Sequence, residues 1–228
     1  MKEILTLSSL IYSFILSAQI SSEDIRKYKI SKITRTSATR GSEHIQKNVV
    51  YYDKFGNDTA EYNDGNIYRR TSYQYDDKNK PVTRTRYDAE GKEIETATYS
   101  YQPDGNCMVS NTDKSFGMTD VTYCDKWGKT TKTVSPDKSE RIYSYDMKGR
   151  LVKIKSKAGE NGAVIVDQQY TYSPSGNLTK ITSKGDYKWT QTYMYNSKGL
   201  LTRTKMNSIT DGVADPEVTF TYEYEFRK

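Results

Sequence analysis

Apolar and polar side chains alternate with a period of two along most of this chain. In the segments 164–172, 187–195 and 218–226, one face is rich in aromatic and aliphatic residues and the other is mainly polar. Successive side chains of a β-strand point to opposite faces, so this alternation predicts half-buried antiparallel strands. No sustained apolar stripe with helical spacing follows the first 18 residues. The pattern predicts an all-β chain without a helical domain.

A short phrase recurs about every 23 residues and marks one series of turns. It consists of a strand end, usually Tyr, then Asp or another polar residue, a turn and usually Gly. Gly, Asn and Asp suit such turns because they tolerate positive φ or bond to nearby backbone amides. The clear copies are 52–57, 145–150, 172–177 and 195–200, and looser copies are 75–80, 101–106 and 124–129. We name these the first-series turns.

A second series of turns lies between the copies of the phrase. These second-series turns are at 40–42, 63–66, 88–91, 114–117, 135–138, 159–162, 184–186 and 211–212. Two alternating series predict a long antiparallel meander of about 14–16 strands, with each series along its own edge. An open sheet rarely exceeds about ten strands without curling, so we expect a coiled or wrapped sheet with its aromatic face inward.

Composition sets the character of the two faces. Apolar residues make up 34% of the chain, and 21 Tyr outnumber 5 Phe, which favours a half-wet sheet face over an aliphatic core. The net charge of +6 comes from Lys and Arg that alternate with Thr and Ser, as in 202–205. Such alternation is typical of a solvated sheet face, and we expect no nucleic-acid partner.

The N-terminus resembles a secretory signal. Residues 4–16 form an almost uncharged apolar run, and Ala18 ends a small-residue cleavage site. The run is shorter than the roughly 20 residues that span a bilayer. We therefore predict a signal peptide at 1–18, an N-terminal segment with the first strand at 19–43, and a β-repeat domain at 44–228. The expected location is periplasmic or outer-membrane-associated, with peripheral attachment and no transmembrane span after cleavage.

Cys107 and Cys124 are the two cysteines of the chain. A hairpin turn over 114–117 places them directly opposite each other, at a separation suited to a disulfide, and export supplies an oxidising compartment. The alternatives are a pair of free thiols or a slip in the hairpin register.

The chain shows few groups suited to catalysis. His44 is the single histidine and lies in a polar segment, and no nucleophile elbow, phosphate loop or zinc-protease motif is present. Most Asp residues occupy turn positions. We therefore predict no enzyme activity, no cofactor and no metal site.

Aromatic residues at turn tips are the candidate binding residues. Phe55 and Trp127 precede the glycine of first-series turns, and Phe116 does so in a second-series turn. Such side chains can form a stacking or hot-spot surface for a sugar or protein, or they can fold back on the sheet. In addition, 58–60 (Asp-Thr-Ala) resembles a short O-glycosylation motif, with Thr59 as the acceptor.

The phrase Tyr-Asp-x-x-Gly-Arg-Leu at 145–151, and its relative at 172–178, resembles the YD repeat of the Rhs family. The resemblance covers about 44–226 and implies a wound β-sheet in an exported protein. With export and the lack of catalytic motifs, we predict a non-catalytic binding or accessory subunit of a cell-envelope complex, or a glycan-binding module. The alternatives are an immunity-type protein that blocks a toxin and, less favoured, an envelope hydrolase.

Overall fold

The structure, a computed structural model, describes residues 22–159, 162–183, 188–210 and 212–228, with the backbone alone for 164–167. The predicted signal peptide and the second-series turn at 184–186 lie outside the described residues.

One short helix and seventeen strands follow one another along the described residues. The helix is α1, Ser22–Lys27, and the strands in chain order are β1 Ile30–Thr39, β2 Ile45–Tyr52, β3 Asp58–Asn63, β4 Asn66–Tyr75, β5 Pro81–Tyr87, β6 Glu93–Tyr101, β7 Cys107–Asp113, β8 Met118–Cys124, β9 Thr130–Val134, β10 Glu140–Tyr145, β11 Leu151–Lys157, β12 Val164–Tyr172, β13 Leu178–Ser183, β14 Lys188–Tyr195, β15 Leu201–Thr210, β16 Val213–Ala214 and β17 Val218–Phe226. The all-β prediction is confirmed. The six-residue helix is too short to show an apolar stripe, so the sequence pattern did not reveal it.

The sheet closes on itself. From β1 to β16, each strand pairs antiparallel with the next one in sequence, and β1 also pairs with β17, from Ile30 opposite Phe226 to Thr39 opposite Val218. The two-residue β16 pairs with β15, and β17 also pairs with β15, so sixteen of the seventeen described strands form the wall of a barrel. The prediction of a coiled or wrapped sheet is confirmed in part. The sheet curls, and its first and last strands also pair with each other. Closure pairs the edge strands.

The interior of the barrel has two different halves. Apolar side chains from α1, β1, β13–β15 and β17 form a core that includes Ile25, Leu201, Trp189 and Phe220. The inward positions of β3–β6 instead carry a cluster of charged residues: Asp58, Glu61, Arg69, Arg84, Arg86 and Glu95. The alternating pattern alone predicted an aromatic inner face and did not predict this charged half.

The outward face is polar along the rows where Lys alternates with Thr, and exposed apolar side chains such as Tyr68, Ile142 and Met194 are scattered among them. One cross-strand row over β12–β15 and β17 reads Thr171, Lys180, Thr192, Lys205 and Thr219, and each of these side chains is exposed or half-buried. No helix among the described residues is long and apolar enough to cross a bilayer.

The repeated phrase builds one recurring turn. In the copy at 53–57, the Asp53 backbone amide donates to Asn57, the Gly56 amide donates to the Asp53 carbonyl, and Asp53 Oδ1 accepts from the amides of Phe55 and Asn57. Asp76, Asp125, Asp146 and Asn196 accept turn amides through their side chains in the same way. The Asp of the phrase therefore has a structural role.

The two series of turns lie at opposite ends of the barrel. Since each strand from β2 to β15 joins a first-series turn to a second-series connection, the barrel has a first-series end and a second-series end. The helix α1 lies at the first-series end. Arg26 Nη1 donates to the Phe55 carbonyl at 3.0 Å, and the Tyr28 hydroxyl donates to the Lys198 carbonyl at 3.2 Å. The second-series end carries the pocket described below.

Candidate functional site

A polar pocket opens at the second-series end of the barrel. It has a volume of about 430 Å³ and lies against β6–β8 and the turn that follows β9. This volume falls within the range of about 300–1,000 Å³ that is usual for small-molecule sites. The lining residues are Glu95, Asn111, Asp113, Met118, Asp120, Ser135, Pro136, Asp137 and Ser139.

Strand register places the wall of the pocket. Glu95 on β6 is opposite Asp113 on β7, and Asp113 is opposite Met118 on β8. Asn111 is opposite Asp120 in the same hairpin. Because residues two apart on a strand share a face, all five side chains belong to one inward-facing patch near the mouth of the barrel.

Arginines of the charged interior hold the inner side of the pocket. Glu95 forms ion pairs with Arg84 and with Arg86, the latter at 3.1 Å, and Arg84 Nη2 donates to Asn111 Oδ1 at 2.9 Å. Burial lowers the pKa of Arg84, but Tyr99 and Glu95 outweigh burial and leave its pKa raised. These contacts fix the Glu95 and Asn111 side chains.

The outer rim of the pocket is acidic. Asp113 Oδ1 accepts from the backbone amides of Ser115 and Phe116 at 2.7 and 3.1 Å. Hydrogen bonding from the backbone of Ser139 lowers the pKa of Asp137, whereas Asp120 is exposed. With Glu95, the pocket presents four carboxylates together with amide and hydroxyl groups. Such a surface accepts hydrogen bonds from hydroxyl or ammonium groups and repels anions.

Of the three predicted aromatic tips, the structure places one beside this pocket. Phe116 is 74% exposed and lies in the turn between the pocket residues Asp113 and Met118. Trp127 is also highly exposed, at 72%, but it belongs to the first-series end. Phe55 folds back, with its ring centroid 4.6 Å from that of Tyr75. The three residues therefore do not form one surface.

The predicted disulfide is present. Cys107 and Cys124 are directly opposed on β7 and β8, with their Cα atoms 4.9 Å apart. The hairpin register read from the sequence is correct over the whole of β7 and β8.

Thr59 has a structural contact in the barrel. Its Oγ1 donates to the carbonyl of Tyr51 at 3.3 Å, next to an irregularity in the β2–β3 register. Thr131, Thr179 and Thr202 make the equivalent bond after three other first-series turns. This repetition explains a threonine at position 59 without glycosylation, and modification of Thr59 stays a prediction.

His44 is exposed in the connection between β1 and β2. Within the described ranges, no group of three or more His, Cys, Asp and Glu side chains is arranged to hold a metal ion. The side chain of Asp76, in a first-series turn, accepts hydrogen bonds from the backbone amides of Lys78 and Lys80.

The pocket residues were not predicted, although part of the signal was readable. The hairpin register that pairs Cys107 with Cys124 also pairs Asn111 with Asp120 and Asp113 with Met118. The same register argument therefore places four of the lining residues together. The contribution of the 135–139 turn depends on the curvature of the sheet, which the sequence pattern does not encode.

No protein-family model and no curated protein match this chain. Among solved structures, a porin-like protein from Bacteroides uniformis is similar over 86% of this chain and 98% of its own, with a TM-score of 0.51 and 14% identity. This likeness concerns the fold alone. A TcdB2-TccC3 structure that lacks its hypervariable C-terminal region matches 81% of this chain and 14% of its own, at 15% identity and a TM-score of 0.22. A protein of unknown function from Bacteroides fragilis covers 70% of this chain and 88% of its own, at 13% identity and a TM-score of 0.21.

Proposed function

We propose that this chain is a non-catalytic, exported binding protein of the cell envelope that holds a glycan in the pocket at the second-series end. The observation that carries the proposal is the combination of this polar pocket with the exposed ring of Phe116, which lies in the turn between the lining residues Asp113 and Met118. Sugars present many hydroxyl donors and apolar C–H faces. Fixed acceptors and an exposed aromatic ring are complementary to these two features.

The contacts inside the pocket support preorganised binding. Arg84 and Arg86 hold Glu95, and turn amides hold Asp113, so these acceptors are positioned before a ligand arrives. Met118 and Pro136 add apolar surface to the lining. Preorganisation of this kind lowers the entropic cost of binding.

The charge of the pocket points to a class of glycan. Although the chain carries a net charge of +6, four carboxylates line this site. Like charges repel at short range, so neutral sugars and amino sugars fit the pocket better than uronates or sialylated chains.

The ion pairs and pKa values of the pocket carboxylates favour a binding role over glycoside hydrolysis. A glycosidase needs one carboxyl whose pKa is raised so that it can donate a proton. Glu95 is paired with two arginines, and the pKa of Asp137 is lowered.

The export part of the proposal draws on independent features. The disulfide suits an oxidising compartment, and the similar Bacteroides uniformis protein is described as porin-like. Attachment to an envelope complex as an accessory subunit is compatible with the same binding role.

A glycan array with neutral, amino and acidic sugars tests the proposal on the chain that begins after residue 18. We expect retention of neutral or amino glycans. Asp120→Asn and Phe116→Ala should each weaken binding about tenfold, since both side chains are exposed and can be changed without disturbing the wall.

Trp127→Ala is the matched control, because it removes an equally exposed aromatic ring from the opposite end. It should leave glycan binding unchanged. Retention of no glycan, or full binding by both pocket variants, would contradict the proposal.

A further inference from the structure

Two apolar side chains project from neighbouring turns at the first-series end. Trp127 is 72% exposed and Met147 is completely exposed; they lie in the turns 125–129 and 146–150. The two turns touch, because the Lys129 amine reaches over Gly149 so closely that a Cβ at this glycine would collide with it. Trp127 and Met147 therefore belong to one surface, which we name the tip surface, together with Lys126, Lys129 and Lys148.

Lysines surround the apolar part of the tip surface. The Lys126 Nζ lies 4.6 Å from the Trp127 ring centroid, and the Lys129 Nζ lies 5.9 Å from it. Lys148 is exposed beside Met147. An aromatic ring and an apolar side chain ringed by lysines match the interface between acyl chains and anionic headgroups, where amphipathic rings and basic residues are enriched.

The two ends of the barrel differ in charge. The described loops of the first-series end hold eight basic and six acidic residues, whereas those of the second-series end hold four basic and seven acidic residues. Five of the six acidic side chains at the first-series end accept hydrogen bonds from turn amides. An anionic surface therefore attracts the first-series end and repels the pocket end.

We propose that the tip surface docks the barrel on an anionic phospholipid membrane. The outward rows of the strands carry Lys and Thr, with only scattered apolar side chains such as Ile142 and Met194 among them, so the side wall suits water and the turns make the contact. The exposed Trp127 and Met147 favour a lipid interface over a dissolved polyanion, which would use the lysines alone. In this orientation the pocket faces away from the membrane. The inference stands independently of the proposed glycan.

Vesicle co-sedimentation of the chain that begins after residue 18 tests the inference. Vesicles of phosphatidylcholine alone are compared with an equal mixture of phosphatidylcholine and phosphatidylglycerol. We expect binding to the mixed vesicles and about fivefold weaker binding for each of Lys126→Gln and Lys148→Gln. The Trp127→Ser, Met147→Ser double variant should bind about tenfold more weakly.

Tryptophan fluorescence gives a second readout. Trp189 is buried, with 8% exposed, so Trp127 is the ring that can change its environment. Mixed vesicles should shift the emission to shorter wavelength in the wild type but not in Trp127→Phe.

Phe116→Ser is the matched control, since it removes an exposed aromatic from a turn at the other end, and it should bind mixed vesicles like the wild type. Equal binding to both kinds of vesicle, no binding to either, or equal losses in Phe116→Ser and Trp127→Ser would overturn the inference. Soluble polyphosphate that competes fully with the vesicles while Trp127→Ser binds normally would also overturn it.

Discussion

The disulfide between Cys107 and Cys124 joins the ends of two paired strands. At the corresponding positions elsewhere in the barrel, a tyrosine hydroxyl donates a hydrogen bond to a backbone carbonyl. Cys107 is the first residue of β7 and Cys124 is the last residue of β8. In four other places, a tyrosine at or near the end of a strand donates its hydroxyl to a backbone carbonyl, that of the first residue of the strand paired with it. These bonds run from Tyr101 to Pro81, from Tyr145 to Thr130, from Tyr172 to Leu151 and from Tyr224 to Leu201. The copy of the phrase at 124–129 begins with Cys124 where other copies have Tyr. There the disulfide replaces the recurring hydrogen bond.

A tyrosine at position 124 should partly replace the disulfide. Removing a disulfide that closes a loop of this size costs about 3 kcal/mol, which we expect for Cys107→Ser with Cys124→Ser. Cys107→Ser with Cys124→Tyr should recover about 1 kcal/mol, since the hydroxyl can reach the carbonyl of residue 107. Urea unfolding measures both. Cys124→Phe in the same background isolates the hydroxyl, and equal stability of the Tyr and Phe variants would refute the equivalence.

Asp58 should make the barrel sensitive to acid. Burial raises the pKa of Asp58, but Arg86, the hydroxyl of Tyr73 and other arginines outweigh burial and leave its pKa below 3.8. The carboxylate therefore contributes stability that is fully present above pH 3.8 and is lost as the pH falls through the lowered pKa. Urea unfolding across this pH range should show the loss.

Asp58→Asn should lower stability at neutral pH by about 2 kcal/mol, because it removes the charged acceptor of the Tyr73 and Thr71 hydroxyls and one of the carboxylates near Arg69, which keeps its ion pair with Glu61. Asp58→Asn should also reduce the loss of unfolding free energy that occurs as the pH falls, which we name the acid limb of the stability curve. Asp77→Asn, which changes an exposed carboxylate in a turn, is the control and should change neither. An unchanged acid limb in Asp58→Asn would count against this role.

The tyrosines of the first-series end should resist ionisation while the barrel is folded. Burial, with a smaller contribution from Asp125, raises the pKa of Tyr145 to about 12, and burial raises that of Tyr195 to about 12. Because the folded pKa is raised above 10.0, the neutral form contributes stability that is present below pH 10 and is lost as the pH rises through about 12. Phenolate absorbance should therefore lag behind that of the unfolded chain. Ionisation of every tyrosine near pH 10 in a folded barrel would contradict this expectation.

Gly56 should be more sensitive to substitution than Gly176. Both have positive φ, at +83° and +93°, so alanine strains both by about 1 kcal/mol. At Gly56, however, a Cβ would lie 2.5 Å from the backbone oxygen of Ser22, whereas nothing lies within 4 Å at Gly176. Gly56→Ala should also dislodge α1, and proteolysis near Ile25 together with urea unfolding would detect this. Equal costs at the two glycines would show that α1 does not depend on this contact.

Local pattern predicted the strands and turns for a clear physical reason. Alternation reports which side chains share a face, and Gly, Asn and Asp report where the chain must reverse. The pairing of β1 with β17 was not predictable, because it joins residues such as Ile30 and Phe226 across almost the whole chain. No turn fixes that register.

Individual residues show the same division at the candidate site. Hairpin symmetry predicted the Cys107–Cys124 bridge, and it also contains the pairing of Asn111 with Asp120. Phe55 and Phe116 had equivalent positions before a turn glycine, yet only the structure shows that Phe55 packs on Tyr75 whereas Phe116 stays exposed beside a pocket. Whether the ring at a turn is packed or exposed depends on the neighbouring strands, and the sequence of the turn does not show which strands are its neighbours.

By itself, the sequence determined an antiparallel meander, its two series of turns and the register of the cysteine hairpin, because these depend on residues close together along the chain. Tertiary structure alone decided that the sheet closes and that one half of its interior holds paired charges. These properties depend on which distant strands meet, and the local pattern along the chain does not encode that pairing.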